Sequence, residues 1–178
     1  MISFTCSSCG ETHEGLADLA FDAPYYYYTV PEEERAERCT LSADLCTIDD
    51  EDYFIRGCLE IPVADHEVPF AFGVWCSVSR ENFQRYVDVF NDPHQSHVGP
   101  FVGWFSVRLP TYPDPLQLKV RAHLQDHGTR PRFELEPGEH PLAIDHRDGI
   151  GLARLQEIYE ANLHPPRSPR PHPSDRQT

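Results

Sequence analysis

Two strand-like segments near the middle of the chain constrain its fold most strongly. In residues 53–63, YFIRGCLEIPV, Ile55 and Leu59 fall on one face of an extended strand while Arg56 and Glu60 fall on the other. Residues 70–78, FAFGVWCSV, are apolar on both faces, which is typical of a central strand. Because only the polar link ADHEVP joins them, we predict a hairpin at the centre of a sheet.

Further strands and two helices surround this hairpin in the sequence. Residues 116–125, LQLKVRAHLQ, alternate apolar and polar side chains as a half-buried strand does. Residues 80–92 and 150–164 carry apolar side chains at helical spacing. The predicted elements follow the order strands, helix, strands, helix, which is typical of an α+β domain. We therefore predict an antiparallel sheet with two main helices packed on one face, and a small N-terminal Cys-x-x-Cys knuckle.

The length of 178 residues suits one domain with a sizeable core. We predict a single α+β domain over residues 1–164, in which residues 1–20 form the knuckle. Residues 165–178, PPRSPRPHPSDRQT, contain no apolar side chain other than proline, so we predict a disordered proline-rich tail.

The net charge of −14 is concentrated at the N-terminal side of the chain. Residues 1–67 contain sixteen Asp and Glu and three Arg. An acidic surface repels the phosphate backbone, which disfavours a nucleic-acid partner and favours a basic protein partner. The alternative is that the charge only keeps the protein soluble.

The chain begins without a positively charged stretch ahead of an apolar segment, and its longest apolar run is too short to span a bilayer. We therefore expect a cytoplasmic protein with no membrane partner. In a reducing compartment its six cysteines are thiols or metal ligands rather than a disulfide framework.

A candidate metal site lies in residues 4–15, FTCSSCGETHEG. Zinc takes four tetrahedral ligands, with thiolate and imidazole preferred. Cys6 and Cys9 have the spacing to bind one ion, and His13 follows closely enough to be a third ligand. We predict Cys46 as the fourth ligand, because a strand beside the N-terminal strand would present it. The predicted cofactor is a structural zinc ion.

Other interpretations of these cysteines stay open. Cys39 or Cys58 could replace Cys46 as the fourth ligand. The Cys-x-x-Cys pair could instead be a redox pair, although no helix start follows to lower a thiol pKa. The cysteines could also be small half-buried residues that bind no metal. With only three protein ligands and a bound water, the site would fit a metal-dependent enzyme that uses Glu11 or Glu14 as a general base.

A run of four tyrosines, Tyr25, Tyr26, Tyr27 and Tyr28, occupies the segment PYYYYTV, which we read as extended. An extended segment places two rings on each face, and at least one such pair is hard to bury. Beside so many acidic residues, these tyrosines are candidates for a partner-binding surface.

Seven segments occur in a characteristic order: FTCSSCGETHEGL, FDAPYYYY, PEEERAERC, LSADLCTIDDEDYFIRGCLEIPV, FGVWCSVSRENFQRY, GWFSVRLPTYPD and LEPGEHPLAIDHRDGI. Together they resemble a bacterial family known as domain of unknown function 2199, from about residue 3 to residue 164. The resemblance implies a bacterial, soluble, single-domain protein. It supplies no catalytic residues, so the function must come from the residues themselves.

The sequence contains no convergent set of acid, base and nucleophile, no nucleophile elbow and no phosphate-binding glycine loop. We therefore expect a binding or interaction protein, such as an immunity or adaptor protein that covers a basic partner. The alternative is a metal-dependent enzyme with an open Cys/Cys/His site.

Overall fold

Residues 3–5, 10, 12–14 and 18–163 are described by a computed structural model. Its strands are β1 (Ser3–Thr5), β2 (Thr12–Glu14), β3 (Leu19–Ala20), β4 (Cys39–Leu41), β5 (Leu45–Ile48), β6 (Asp52–Ile61), β7 (Phe70–Val78), β8 (Phe101–Phe105), β9 (Lys119–His123) and β10 (Arg132–Leu135). Its helices are α1 (Tyr25–Thr29), α2 (Arg35–Arg38), α3 (Arg80–Val89), α4 (Pro141–Asp148) and α5 (Leu152–Leu163), with one 3₁₀ turn at Glu32–Glu34.

Strands β6 to β10 form a closed five-stranded barrel. Each strand pairs antiparallel with the next, from β6 through β7, β8 and β9 to β10. Strand β10 then closes the barrel by pairing parallel with β6, with Arg132 opposite Cys58 and Phe133 opposite Leu59. Strands β5 and β4 extend the sheet from the edge of β6, while β1 and β2 form a separate antiparallel pair.

The predicted open antiparallel sheet with two main helices on one face is wrong. A barrel closed through a parallel pair of strands replaces the open sheet, and the helices are short.

The helices also contact opposite ends of the barrel, and not one face of a sheet. Phe83 of α3 packs on Tyr53 at the start of β6, with ring centroids 5.1 Å apart. Tyr159 of α5 packs on Phe70 at the start of β7, 5.6 Å away. Because β6 and β7 are antiparallel, these two starts lie at opposite ends.

The barrel interior is filled by apolar side chains. The strand register places the following fully buried residues on the inner face: Ile55, Leu59, Phe72, Val74, Phe105, Val120, Ala122 and Phe133. Gly57 leaves room for one of them, because a Cβ there would lie 2.4 Å from Cε1 of Phe133. The close approach of β6 and β10 at the barrel seam therefore requires glycine at this position.

The predicted hairpin and the main strands and helices are confirmed. Strands β6 and β7 pair along nearly their whole length, and α3 and α5 lie within the segments that we predicted as helices. The tyrosine segment is an exception, because it forms helix α1 instead of an extended strand. The Pro24 carbonyl accepts a hydrogen bond from the Tyr27 N–H (3.1 Å), and the Tyr25 N–H donates to the Ser106 carbonyl (2.7 Å). These bonds start a helical turn that side-chain preference alone did not indicate.

Two predicted regions fall outside the description. Cys6 and Cys9 of the predicted knuckle and the whole of residues 165–178 lie outside the described residues, so the knuckle and the disordered tail stay predictions. Across the described ranges, no helix is both long and apolar enough to cross a membrane.

Candidate functional site

An open cleft of about 450 Å³ lies on the outer face of the barrel. Its lining residues are Tyr26, Asp52, Phe54, Ser77, Trp104 and Gln117. We call it the Trp104 cleft. Three of its six lining side chains are aromatic, and an apolar concave surface with a few polar groups is typical of a ligand-binding site.

The strand register builds this cleft from a single row of side chains. Phe54 of β6 lies opposite Ser77 of β7, and Ser77 lies opposite Trp104 of β8. Since neighbouring strands are about 4.8 Å apart, the two aromatic residues stand roughly 10 Å apart with serine between them. The small Ser77 side chain forms the floor, and the two aromatic side chains form the walls.

Trp104 is unusually exposed for its type. Strand β8 alternates strictly, with Phe101, Gly103 and Phe105 facing the barrel interior and Val102 and Trp104 facing outward. The Trp104 side chain is 49% exposed. A tryptophan left half in solvent beside a cleft is typical of an interaction site, because such a side chain gains much from being covered.

Helix α1 supplies the wall beside Phe54. The Tyr26 ring stacks on the Phe54 ring, with centroids 5.8 Å apart and planes 24° apart. Of the four tyrosines predicted to bind a partner, Tyr26 is the one that lines the cleft. It is half-buried, and its position is fixed by the aromatic stack.

The other tyrosines of α1 pack against arginine side chains. The Arg108 guanidinium lies 4.2 Å from the Tyr25 ring centroid. Arg35 lies over both remaining rings, 5.1 Å from Tyr27 and 5.6 Å from Tyr28. The Arg35 contacts join α1 to α2, and the Arg108 contact joins α1 to the segment that follows β8. Tyr28 remains 54% exposed, so this side chain is also accessible to a partner.

One end of the Trp104 cleft lies beside a run of four carboxylates, Asp49, Asp50, Glu51 and Asp52. Asp52 lines the cleft and follows the exposed turn formed by residues 49–51. Arg38 anchors this turn through an ion pair with Asp49 at 2.6 Å. The hydrogen bond from Arg38 also lowers the pKa of Asp49 from its ordinary value, so this carboxylate stays ionised at neutral pH.

The residues predicted to bind zinc are only partly described. Cys46 lies in β5 opposite Phe54 and is 1% exposed. Burial, followed by the neighbouring Cys39, raises the pKa of Cys46 to about 12. His13 lies in β2 opposite Phe4, and nothing is described of its side chain. In the described part of the chain, no group of three or more His, Cys, Asp or Glu side chains is placed to bind a metal ion.

The reason for choosing Cys46 as a ligand does not hold, because β5 pairs with β4 and β6 and not with β1. The zinc site itself stays a prediction, since Cys6 and Cys9 lie outside the described residues. The metal content of the purified protein and of a Cys6→Ser variant tests it. About one zinc ion per wild-type chain, lost in the variant, would support the site, and metal-free wild-type protein would contradict it.

Sequence reasoning missed Trp104 as a site residue. The available signal was the alternation of β8, in which Trp104 falls on the face opposite Phe101 and Phe105. Since valine and tryptophan made the outer face look as apolar as the inner one, the pattern did not separate the two faces.

Comparison with known families finds the same family that the seven sequence segments resemble. A family described as uncharacterised proteins conserved in bacteria, domain of unknown function 2199, matches residues 5–150. The chain belongs to this family. The matched segment includes all strands of the barrel and both sides of the Trp104 cleft. No curated protein and no solved structure matches this member of the family.

Proposed function

We propose that this protein is a binding protein that holds a basic segment of a protein partner. An aromatic or large aliphatic side chain of the partner inserts into the Trp104 cleft. Lysine or arginine side chains beside it contact Asp52 and the acidic turn at residues 49–51. The protein acts by covering this segment, as an immunity or adaptor protein does, and not by catalysing a reaction.

The observation that carries the proposal is the half-exposed Trp104 facing Phe54 and Tyr26 across an open cleft. Covering exposed aromatic surface contributes about 25 cal/mol per Å². Tryptophan and tyrosine are also the side chains that most often dominate binding energy at protein interfaces. The aromatic stack of Tyr26 on Phe54 holds one wall in place, which limits the entropy lost on binding.

Charge complementarity supports a basic partner. Asp50, Glu51 and Asp52 follow one another at the cleft and are exposed. At physiological ionic strength the Debye length is about 8 Å, so basic residues of a bound segment would feel these carboxylates directly. The same carboxylates would repel a nucleic-acid backbone. We therefore expect the association rate, more than the lifetime of the complex, to fall as salt is added.

We further propose that this binding takes place in the cytoplasm. All four cysteines that the structure describes are free thiols: Cys39, Cys46, Cys58 and Cys76. Free thiols are typical of proteins from a reducing compartment.

A displayed library of random peptides tests the function even though the natural partner has not been identified. The library is selected on the full-length wild-type protein and counter-selected on Trp104→Ala, so that only peptides needing Trp104 are enriched. We expect enrichment of sequences with one aromatic or large aliphatic residue flanked by lysine or arginine. Val102→Ala is the matched control, because Val102 is exposed on the same strand but does not line the cleft.

Three results would contradict the proposal. The first is the absence of any enriched sequence. The second is that the peptides selected on the wild type bind Trp104→Ala equally well. The third is enrichment of acidic sequences, which would remove the electrostatic part of the argument.

A further inference from the structure

A second cleft lies between helix α3, the loop at residues 91–98 and the loop at residues 125–130. Its volume is about 470 Å³. The lining residues that matter here are Asp44, Tyr86, Phe90, Gln95, Thr129 and Arg130. We call it the Gln95 cleft. It shares no lining residue with the Trp104 cleft, so the two clefts are tested independently.

Gln95 is the unusual residue of this cleft. It is only 3% exposed, and its side-chain Oε1 is buried without a hydrogen-bond partner. A buried amide left unpaired destabilises a protein, and most buried polar groups are hydrogen-bonded. An unpaired amide oxygen in the wall of a cleft is explained when a ligand donates a hydrogen bond to it.

Tyr86 provides a second polar group in the same wall. It is 3% exposed, and within the described ranges its hydroxyl makes no hydrogen bond. Burial, followed by the nearby Asp44 carboxylate, raises the pKa of Tyr86, so the phenol is uncharged at neutral pH. Its ring packs edge-on against Phe90, with centroids 5.4 Å apart. The half-buried Phe90 ring offers an aromatic surface to the cleft, next to the Tyr86 hydroxyl.

The charged groups of the cleft neutralise each other. Arg130 Nε donates to Asp44 Oδ1 at 2.6 Å. With this pair closed, the cleft presents one carboxylate and one guanidinium and no net charge. The remaining groups, the Gln95 amide and the hydroxyls of Tyr86 and Thr129, are neutral. An ion would have to compete with one member of the pair, whereas a neutral hydrogen-bonding molecule would not.

The two loops that frame the cleft are joined to each other. The Ser96 N–H donates to Asp126 Oδ1 at 2.8 Å, and the His127 N–H donates to the Pro93 carbonyl at 2.9 Å. These bonds fix the cleft before any ligand enters. A prearranged polar site loses less entropy on binding than a mobile one.

We infer that the Gln95 cleft binds a small neutral polyhydroxyl ligand, a monosaccharide or disaccharide. Amide, carboxylate and guanidinium groups each have several donor or acceptor positions, so Asp44 and Arg130 can hydrogen-bond sugar hydroxyls in addition to the bond that they make with each other. The Phe90 ring fits the apolar face of a sugar ring. A sugar hydroxyl gives Gln95 Oε1 the hydrogen-bond donor that it lacks in the free protein.

Ligand-observed saturation-transfer NMR on the full-length protein tests this inference. The probes are glucose, galactose, N-acetylglucosamine, maltose, trehalose and myo-inositol, with glycine, arginine and inorganic phosphate as charged comparisons. Gln95→Met keeps the side-chain length and removes the amide. Tyr86→Phe removes only the hydroxyl, which keeps the test informative if Gln95→Met fails to fold. Trp104→Ala is the control from the other cleft.

We expect at least one neutral sugar to bind. Each of Gln95→Met and Tyr86→Phe should weaken that binding roughly tenfold, since each leaves a ligand group unpaired. Trp104→Ala should leave it unchanged. The inference is overturned if no neutral probe binds at about 10 mM, if only charged probes bind, or if sugar binding is the same in wild type and in both cleft variants. None of these results bears on the Trp104 cleft.

Discussion

The two tryptophans of the chain lie on the same outer face of the barrel, in neighbouring strands, yet their surroundings differ completely. Trp75 is fully buried. Its Nε1–H donates to the Phe21 carbonyl at 2.9 Å, and the Arg56 guanidinium lies 5.8 Å from its ring centroid. Trp104, on the adjacent strand, is 49% exposed.

The difference comes from how far β8 extends along β7. Strand β8 pairs only with residues 76–78 of β7, so β3 pairs with the same strand at Phe72 and Gly73. The segment that follows β3 then covers Trp75. No described segment covers Trp104 in the same way. One half of the outer face therefore belongs to the core, and the other half is available to a partner.

The largest effect that distinguishes the two halves is on stability. We expect Trp75→Ala to lower the free energy of unfolding by about 3–5 kcal/mol, because it removes a fully buried ring and its hydrogen bond. Trp104→Ala should cost less than about 1 kcal/mol, since half of that ring is already in solvent. Urea unfolding followed by circular dichroism measures both. Equal losses would mean that Trp104 belongs to the core as Trp75 does.

A smaller loss of stability tests the close packing of β6 against β10 inside the barrel. Gly57→Ala should destabilise the fold by about 1–3 kcal/mol, because the added methyl group would overlap the Phe133 ring. Gly151→Ala is the matched control, since a Cβ there meets nothing within 4 Å. Differential scanning calorimetry of both variants checks this. A melting temperature for Gly57→Ala equal to that of the control would contradict the closed barrel seam.

The smallest effect concerns the acidic turn beside Trp104. The pKa of Asp49 is lowered in the folded state by Arg38, so this pair stabilises the fold above the ordinary Asp pKa. That stabilisation is lost as the pH falls through the lowered folded-state pKa. Arg38→Gln removes this pair together with the Arg38–Glu34 ion pair. We expect it to be slightly less stable than wild type at neutral pH and equal to it in acid, measured by urea unfolding across pH.

Arg80→Gln is the matched control for this variant. Arg80 loses the same charge but has no ion-pair partner among the described residues. A stability difference between Arg38→Gln and wild type that stays constant from neutral to acid pH would show that the Asp49 pair does not anchor the turn.

The sequence predicted the individual strands well and their closure poorly. The apolar run of β7 and the alternation of β9 depend on neighbouring residues, which a sequence displays directly. Closure depends on the parallel contact between Phe133 and Leu59, which are far apart in the chain. The signal that existed was the apolar character of both faces of β7. Such a strand fits an open sheet covered by helices as well as it fits a barrel.

The candidate site was predictable in part for the same reason. The tyrosine run and the acidic residues near Asp52 are visible as composition, and Tyr26 does line the cleft. Trp104 and Gln95 gave no clear signal in the sequence. Trp104 matters because no described segment covers its ring, and Gln95 matters because its buried Oε1 has no hydrogen-bond partner. These are tertiary properties, and local sequence patterns do not encode them.

Calorimetric titration of a peptide selected on the wild type tests the central claim most directly. The peptide is titrated into the wild type and into Trp104→Ala, at about 50 mM and about 500 mM salt. The account predicts binding that weakens by roughly thirtyfold in Trp104→Ala and falls at high salt, as expected for an aromatic hot spot beside an acidic turn. Equal affinity for both proteins at both salt concentrations would contradict it.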